Sequence, residues 1–388
     1  MVMGAHKTQP DDVLDLFDTP AQSGAMDELV QTLARKGRGA VSNATCRFEV
    51  EQRVVTDDGW GLADEPAPAL HTQYIRDATR TIIARNDSPD IGFDRSINPY
   101  RGCEHGCVYC FARPTHAYLG MSPGLDFESK ILTKENAPTL LANELRKPSY
   151  RCQPIAMGTN TDPYQPAERK LEITRGILEV LREFHHPVTI VTKSALIQRD
   201  IDILADMAKQ NLAAVAVSVT TLDRHLARTL EPRAATPERR IETITALSAA
   251  GIPTAVMAAP MIPALNDAEL ETILERAVAA GASGAGYTML RLPLEVAPLF
   301  VEWLNTHVPD KAKHVMSLIR QSHGGKDYDA QWGKRMRGTG PYAEMLRIRF
   351  ETAYRRLKLN QKPRRSGQLD TTKFAAPPKP SNQFSLAL

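Results

Sequence analysis

Between residues 154 and 290, short apolar runs alternate with longer stretches whose apolar residues recur at helical spacing. The runs are PIAMGT (154–159), PVTIVTKS (187–194), LAAVAVSV (212–219), IPTAVMAA (252–259) and GAGYTML (284–290). Several are β-branched and few polar residues interrupt them, as in strands covered on both faces. The stretches 167–184, 195–210, 236–251 and 267–281 read as amphipathic helices. The last two end on Gly251 and Gly281, the residue type favoured just past a helix C-terminus. With one more strand just before Cys103, the pattern predicts six β/α units. Such alternation implies a parallel sheet with right-handed crossovers, either a barrel, complete or partial, or a doubly wound sheet. In a barrel the chemistry sits on loops after the strands. The cysteine-rich loop and the segments GTNTDPYQPAE, TKS and SVTTLD would then line one rim.

Outside this region the pattern weakens. Residues 1–91 are polar and uneven and read as an extension wrapped on the main domain, 92–306 as the core, and 307–361 as a helical extension with helices near 312–322 and 341–357. The tail 362–388 is proline-rich and basic and is expected to be disordered. Apolar content of 42% and charged content of 24% are those of a globular protein with a sizeable core. A net charge of +3 does not by itself mark a nucleic-acid binder. The N-terminus lacks a basic stretch followed by an apolar run, and no window approaches the roughly 18 apolar residues of a membrane span. Five cysteines, three of them clustered, argue against a disulfide framework. The expectation is a cytoplasmic protein with no membrane association.

The cluster is Cys103, Cys107 and Cys110, in RGCEHGCVYCF. Thiolates are soft ligands that suit iron–sulfur clusters and zinc. Three sulfurs are one fewer than a closed tetrahedral site requires. On a four-iron cluster that shortfall leaves one iron open to another ligand. The alternatives are a zinc site completed by His105 or His116, or buried free cysteines.

The Cys-x3-Cys-x2-Cys spacing, with aromatic Tyr109 before the last cysteine, resembles the signature of the radical S-adenosylmethionine enzymes. The resemblance implies a partial (β/α)6 TIM-like barrel over residues 92–306. It implies a [4Fe–4S] cluster on the three cysteines, with S-adenosylmethionine chelated at the open iron and cleaved to methionine and a 5′-deoxyadenosyl radical. A reductase or flavodoxin-type electron donor is implied as well. The cysteine loop, the Thr-x-Thr-Asp turn and the lysine ending the third strand look closest to the branch containing spore photoproduct lyase. Carried over, Thr161 and Asp162 contact S-adenosylmethionine, Lys193 pairs with its carboxylate, Ser218 adds a hydrogen bond and Tyr109 approaches the adenine. Read without the resemblance, Asp162-Pro163 is a turn initiator and Lys193 a solvated rim residue.

Two departures stand out. Spore photoproduct lyase returns a hydrogen atom through a cysteine and a tyrosine, where this chain has Thr159 and Phe111. Neither carries the labile hydrogen required, so a different reaction is expected. Elsewhere, His116 is a candidate for substrate contact, or a hydrogen-bonded structural histidine, and Arg233 a candidate to bind a carboxylate or phosphate, or a solvent-exposed loop arginine. Lys334, Arg335 and Arg337, with the RKGRG run at 35–39, could form a phosphate-tracking surface. The last six residues, QFSLAL, alternate Gln383, Phe384, Leu386 and Leu388 with small residues, as a peptide docking in extended form would. They resemble the peptide by which bacterial replication and repair proteins bind the DNA sliding clamp, with Phe384 at the usual leucine. The expected function is radical chemistry in DNA repair or nucleic-acid modification. The alternatives are a radical enzyme acting on a protein or small molecule, and a non-catalytic zinc-binding scaffold.

Overall fold

The computed structural model describes residues 35–49, 70–361 and 369–378. The predicted strands form where the apolar runs lie. In chain order the strands are β1 (Gln73–Arg76), β2 (Ala84–Arg85), β3 (Arg95–Ile97), β4 (Tyr100–Arg101), β5 (Lys130–Thr133), β6 (Ile155–Met157), β7 (Val188–Thr192), β8 (Ala213–Ser218), β9 (Thr254–Met261) and β10 (Gly284–Met289). The main sheet runs β10-β9-β8-β7-β6-β3-β2, parallel except for β2, which pairs antiparallel with β3. The six parallel strands therefore follow chain order without a reversal. A doubly wound sheet reverses at a switch point, so that alternative is excluded. β3 and β10 are not paired with each other, which leaves the barrel open.

The helices are α1 (Leu125–Ser129), α2 (Ala137–Leu145), α3 (Glu168–Leu171), α4 (Ile173–Glu183), α5 (Ile201–Lys209), α6 (Arg224–Leu230), α7 (Pro237–Ala249), α8 (Leu270–Ala279), α9 (Val296–His307), α10 (Pro309–Ser322) and α11 (Gly340–Arg356). Their apolar faces, including Ile177, Leu181, Leu204, Leu247 and Ile273, share one buried cluster with Ile190, Val215, Val217 and Val256 of the strands. Gly251 and Gly281 carry positive φ just after α7 and α8, as expected. The stretch 167–184 is not one helix: Glu172, at φ 48°, breaks it into α3 and α4. No helix among the described residues is long and apolar enough to cross a membrane.

Three stretches behave differently from their sequence pattern. Residues 73–85, expected to lack a fold of their own, supply β1 and β2. β1 pairs with β5 in a small sheet completed by β4. His307 is the last residue of α9, and α9 and α10 share an apolar cluster with Val108 of the cysteine loop. The tail, expected to be disordered, packs over 369–378. Phe374 lies against Tyr150, Phe184 and His186, and the Ala375 amide donates to the Phe184 carbonyl at 3.1 Å. Residues 383–388, with their clamp-like pattern, lie outside the described residues.

Candidate active site

Loops at the carboxyl ends of the parallel strands enclose a cavity of about 170 Å³. Its lining includes Cys103, Cys107 and Cys110 on one loop, with Tyr109 and Phe111 beside them. Asp162 comes from the turn after β6, Lys193 from the end of β7, and Ser218 from the end of β8. The rim expected from the strand pattern is thus assembled. Of the residues singled out from sequence, Thr161 does not line the cavity. It is buried, and its hydroxyl donates to the Tyr100 carbonyl at 3.0 Å, which fixes the turn on β4.

The cysteine loop is held by buried charge. Arg113 donates to the Cys107 carbonyl (2.9 Å), the Gly106 carbonyl (3.2 Å), and the Pro123 and Gly124 carbonyls (both 2.9 Å). It also pairs with Glu128 at 2.5 Å, both side chains fully buried. Glu128 in turn accepts from the amides of Gly39 and Ala40 at 3.0 and 2.8 Å. Gly106 has φ 67°, and a Cβ there would meet Glu128 Oε2 at 2.7 Å. A Cβ on Gly39 would collide with the Gly106 carbonyl oxygen. The RKGRG run therefore straps the cysteine loop. Arg38 is buried and donates to the Glu128 and Leu70 carbonyls at 2.7 and 2.6 Å, which removes it from any phosphate-tracking surface.

Beneath the cavity lies Glu231, a residue the sequence pattern did not reveal. It is fully buried; Tyr109 and Thr220 donate their hydroxyls to it, Arg240 pairs with it, and Lys193 Nζ lies 4.0 Å away. Burial pushes its carboxyl pKa up, opposed by Arg240. Arg240 is anchored by the carbonyls of Ala235 and Ser218, at 2.8 and 3.1 Å. Ser218 donates its own hydroxyl to the Ala259 carbonyl at 3.0 Å. The LEPRAATPERR stretch thus matters through Glu231 and Arg240. Arg233, the candidate within it, pairs with Glu104 at 2.9 Å.

Asp162 accepts from the Lys193 amide (2.8 Å), the Thr192 hydroxyl (2.7 Å) and the Tyr164 amide (2.9 Å). Burial alone would raise its pKa, but His105, with Nδ1 3.4 Å away, and these donors hold it down at about 2. Asp162 is therefore a carboxylate that couples the turn after β6 to the end of β7. His116 does not line the cavity; it is buried, its Nε2 faces the Lys130 carbonyl at 3.0 Å, and burial lowers its pKa. Thr159 lines the cavity and exchanges hydrogen bonds with Asn98 at 3.2 and 3.4 Å.

Burial pushes the Cys103 and Cys107 thiols well up, with Asp162 adding to the first and Glu231 to the second. Metal ligation requires thiolates, so ligand binding there is coupled to proton release. Among the described residues no three His, Cys, Asp or Glu side chains are arranged to hold a metal ion. The three cysteines all line the cavity. Three soft thiolate donors, one fewer than a closed tetrahedral site takes, are a donor set that fits an iron–sulfur cluster with one iron left for another ligand.

Residues 97–277 match the profile of the radical SAM superfamily. An uncharacterized protein of Mycobacterium tuberculosis (strain ATCC 25618 / H37Rv) is 41% identical over 231 residues, 59% of this chain and 68% of its own length. Spore photoproduct lyase complexed with dinucleoside spore photoproduct has a similar fold, with a TM-score of 0.52 at 13% identity, covering 73% of this chain and 79% of that one. A doubly substituted mutant of that lyase, with bound AdoMet and the same dinucleoside, also gives 0.52, at 12% identity, with 73% and 78% covered. At such identities the likeness speaks for the fold. The chain belongs to the radical S-adenosylmethionine superfamily and is an enzyme that uses S-adenosylmethionine and an iron–sulfur cluster.

Proposed function

We propose that the chain carries one [4Fe–4S] cluster on Cys103, Cys107 and Cys110 and modifies or repairs nucleic acid. The observation that carries the reading is that the three thiols, Tyr109, Asp162, Lys193 and Ser218 all open on one cavity at the carboxyl edge of the strands. Cys103, Cys107 and Cys110 would hold the cluster, which when bound would supply the electron for reductive cleavage of S-adenosylmethionine and so the means of hydrogen abstraction. The chain's own part is placement and exclusion of water. Lys193, steadied by Glu231, is a point charge suited to a carboxylate. Asp162 keeps the turn after β6 and the Lys193 backbone in register, and Tyr109, held by Glu231 and Thr220, presents an aromatic face.

Thr159 and Phe111 line the same cavity. A threonine hydroxyl holds its hydrogen too tightly for relay and a phenyl ring has none to give. The enzyme therefore does not return a hydrogen atom in the manner of spore photoproduct lyase. Nucleic acid is favoured as substrate by a basic, aromatic-bearing loop beside the cavity, residues 326–338, and by analogy with the dinucleoside held by the structural neighbour. A cytoplasmic location, a flavodoxin-type electron donor or reductase, and clamp binding through residues 383–388 complete the reading. Deleting those six residues should abolish clamp capture, and equal capture by both forms ends that part.

The test is anaerobic reconstitution with iron and sulfide, reduction in the presence of S-adenosylmethionine, and assay for 5′-deoxyadenosine. Four irons per chain and product formation are expected, both lost in Cys107→Ala. Bound zinc with no product overturns the proposal.

A further inference from the structure

Arg291 follows β10 and lines the cavity. Among the described residues it makes no hydrogen bond or ion pair through its side chain; its guanidinium instead stacks 4.0 Å from the centre of the Phe111 ring. The nearby carboxylate, Asp90, is already taken: Arg335 pairs with it at 2.5 Å and the Gly333 amide donates to it at 2.6 Å. Burial lowers the Arg291 pKa and the Arg335 charge adds to this, opposed by Tyr328, Cys110 and Asp90. A half-buried guanidinium with its donors unspent is an unmet demand for an anion. Phe111, unable to relay hydrogen, acquires a role as the ring over which this cation is held.

S-adenosylmethionine does not meet the demand if Lys193 takes its carboxylate. β7 and β10 are three strands apart, about 14 Å along the rim at roughly 4.8 Å per strand. Arg291 is thus a second cation for a second anionic group. Its surroundings indicate which. The Met289 amide donates to the Met336 carbonyl at 2.9 Å, docking the 331–338 segment beside β10. The loop 326–338 carries Lys326, Lys334 and Arg337, with Arg335 already spent on Asp90, and of its acids Asp327 is bonded to Arg320 at 2.7 Å. It also carries Trp332, 58% exposed. Cations with an open aromatic are what a nucleic-acid strand needs, phosphates on the first and bases on the second.

We propose that Arg291 binds a backbone phosphate of a nucleic-acid strand whose target nucleotide lies over the cysteine loop. The proposal rests on the nucleic-acid reading above and assigns its phosphate-binding residue. The test uses the full chain, with fluorescently labelled single-stranded DNA and RNA oligonucleotides and a nucleoside monophosphate as probes. Arg291→Gln should weaken oligonucleotide binding about tenfold or more and lower the slope of log affinity against log salt by about one. Arg291→Lys should keep the slope while losing part of the affinity, because it retains the charge without the fork. Circular dichroism and melting temperature verify that both variants are folded. Equal affinity and slope in wild type and Arg291→Gln overturn the phosphate site and leave the nucleic-acid reading standing. Arg291-dependent binding of the monophosphate alone supports a phosphate site and ends the nucleic-acid reading. A wild type that binds no probe overturns both.

Discussion

At the scale of single residues, the site divides into groups that spacing announces and groups that only packing creates. Cys103, Cys107, Cys110 and Asp162 sit within short local patterns, so their chemistry is legible along the chain. Glu231 and Arg240 are not, because nothing local marks a glutamate in a Leu-Glu-Pro loop as the buried partner of an arginine nine residues on. Removing one member of such a pair strands the other. Glu231→Ala should therefore lower stability by about 3–5 kcal/mol, read from urea denaturation followed by circular dichroism. A loss under 1 kcal/mol would mean that Arg240 finds water. Arg113 makes a sharper case, since its fork reaches four carbonyls and Glu128 at once. Lysine cannot reproduce a planar fork. Arg113→Lys should leave the chain folded but reduce the iron retained after reconstitution and desalting by half or more. Full retention would show that the loop holds its shape without the clamp.

Elements were legible where they are long and regularly patterned. Runs such as LAAVAVSV became β8 because both faces are covered, and α7 and α8 end where Gly251 and Gly281 permit a left-handed turn. β1, β2 and β4 are two to four residues long and carry exposed or charged positions, so periodicity has nothing to register. The break at Glu172 puts an ordinary side chain in a left-handed conformation that no sequence rule assigns to glutamate. Nor did proline-rich composition foretell the docking of 369–378, where the Asp370 and Ala375 amides donate to the Asn211 and Phe184 carbonyls and Phe374 meets the Tyr150–His186 pair. That contact carries a pH dependence. Tyr150 and His186 Nε2 lie 2.7 Å apart, and burial lowers the histidine from 6.5 to about 4. Between those values the unfolded chain binds a proton that the folded chain refuses, so stability is complete above about pH 6.5 and declines as pH falls towards 4. The loss should reach about 3 kcal/mol at 1.36 kcal/mol per unit. Urea denaturation at pH 7 and pH 4.5 measures it, and His186→Gln should flatten the difference. An equal slope in the variant would assign the acid sensitivity to other groups.

For the molecule as a whole, an open barrel has two sheet edges to protect, and they are protected differently. β2 covers β3 with only two residues, whereas β10 is covered from outside its own sheet. The Met289 amide is spent on Met336, Arg337 lies over the Tyr287 ring at 5.5 Å, and Phe350 of α11 packs 4.8 Å from that ring. Ala343, Leu346 and Ala353 of α11 are buried in the main core cluster. The helix that closes the barrel's side thus also backs the 331–338 segment at the cavity. An uncovered parallel edge with apolar flanks is a template for pairing between chains. A chain ending after residue 338 should therefore associate with rising concentration, visible as an increasing mass in size-exclusion chromatography with light scattering. The milder Leu346→Ala should cost about 2–4 kcal/mol without association, because the edge stays covered while only packing is lost. If the shortened chain keeps the mass of the full one at every concentration, the 331–338 segment alone shields the edge, and α11 serves the core rather than the barrel's closure.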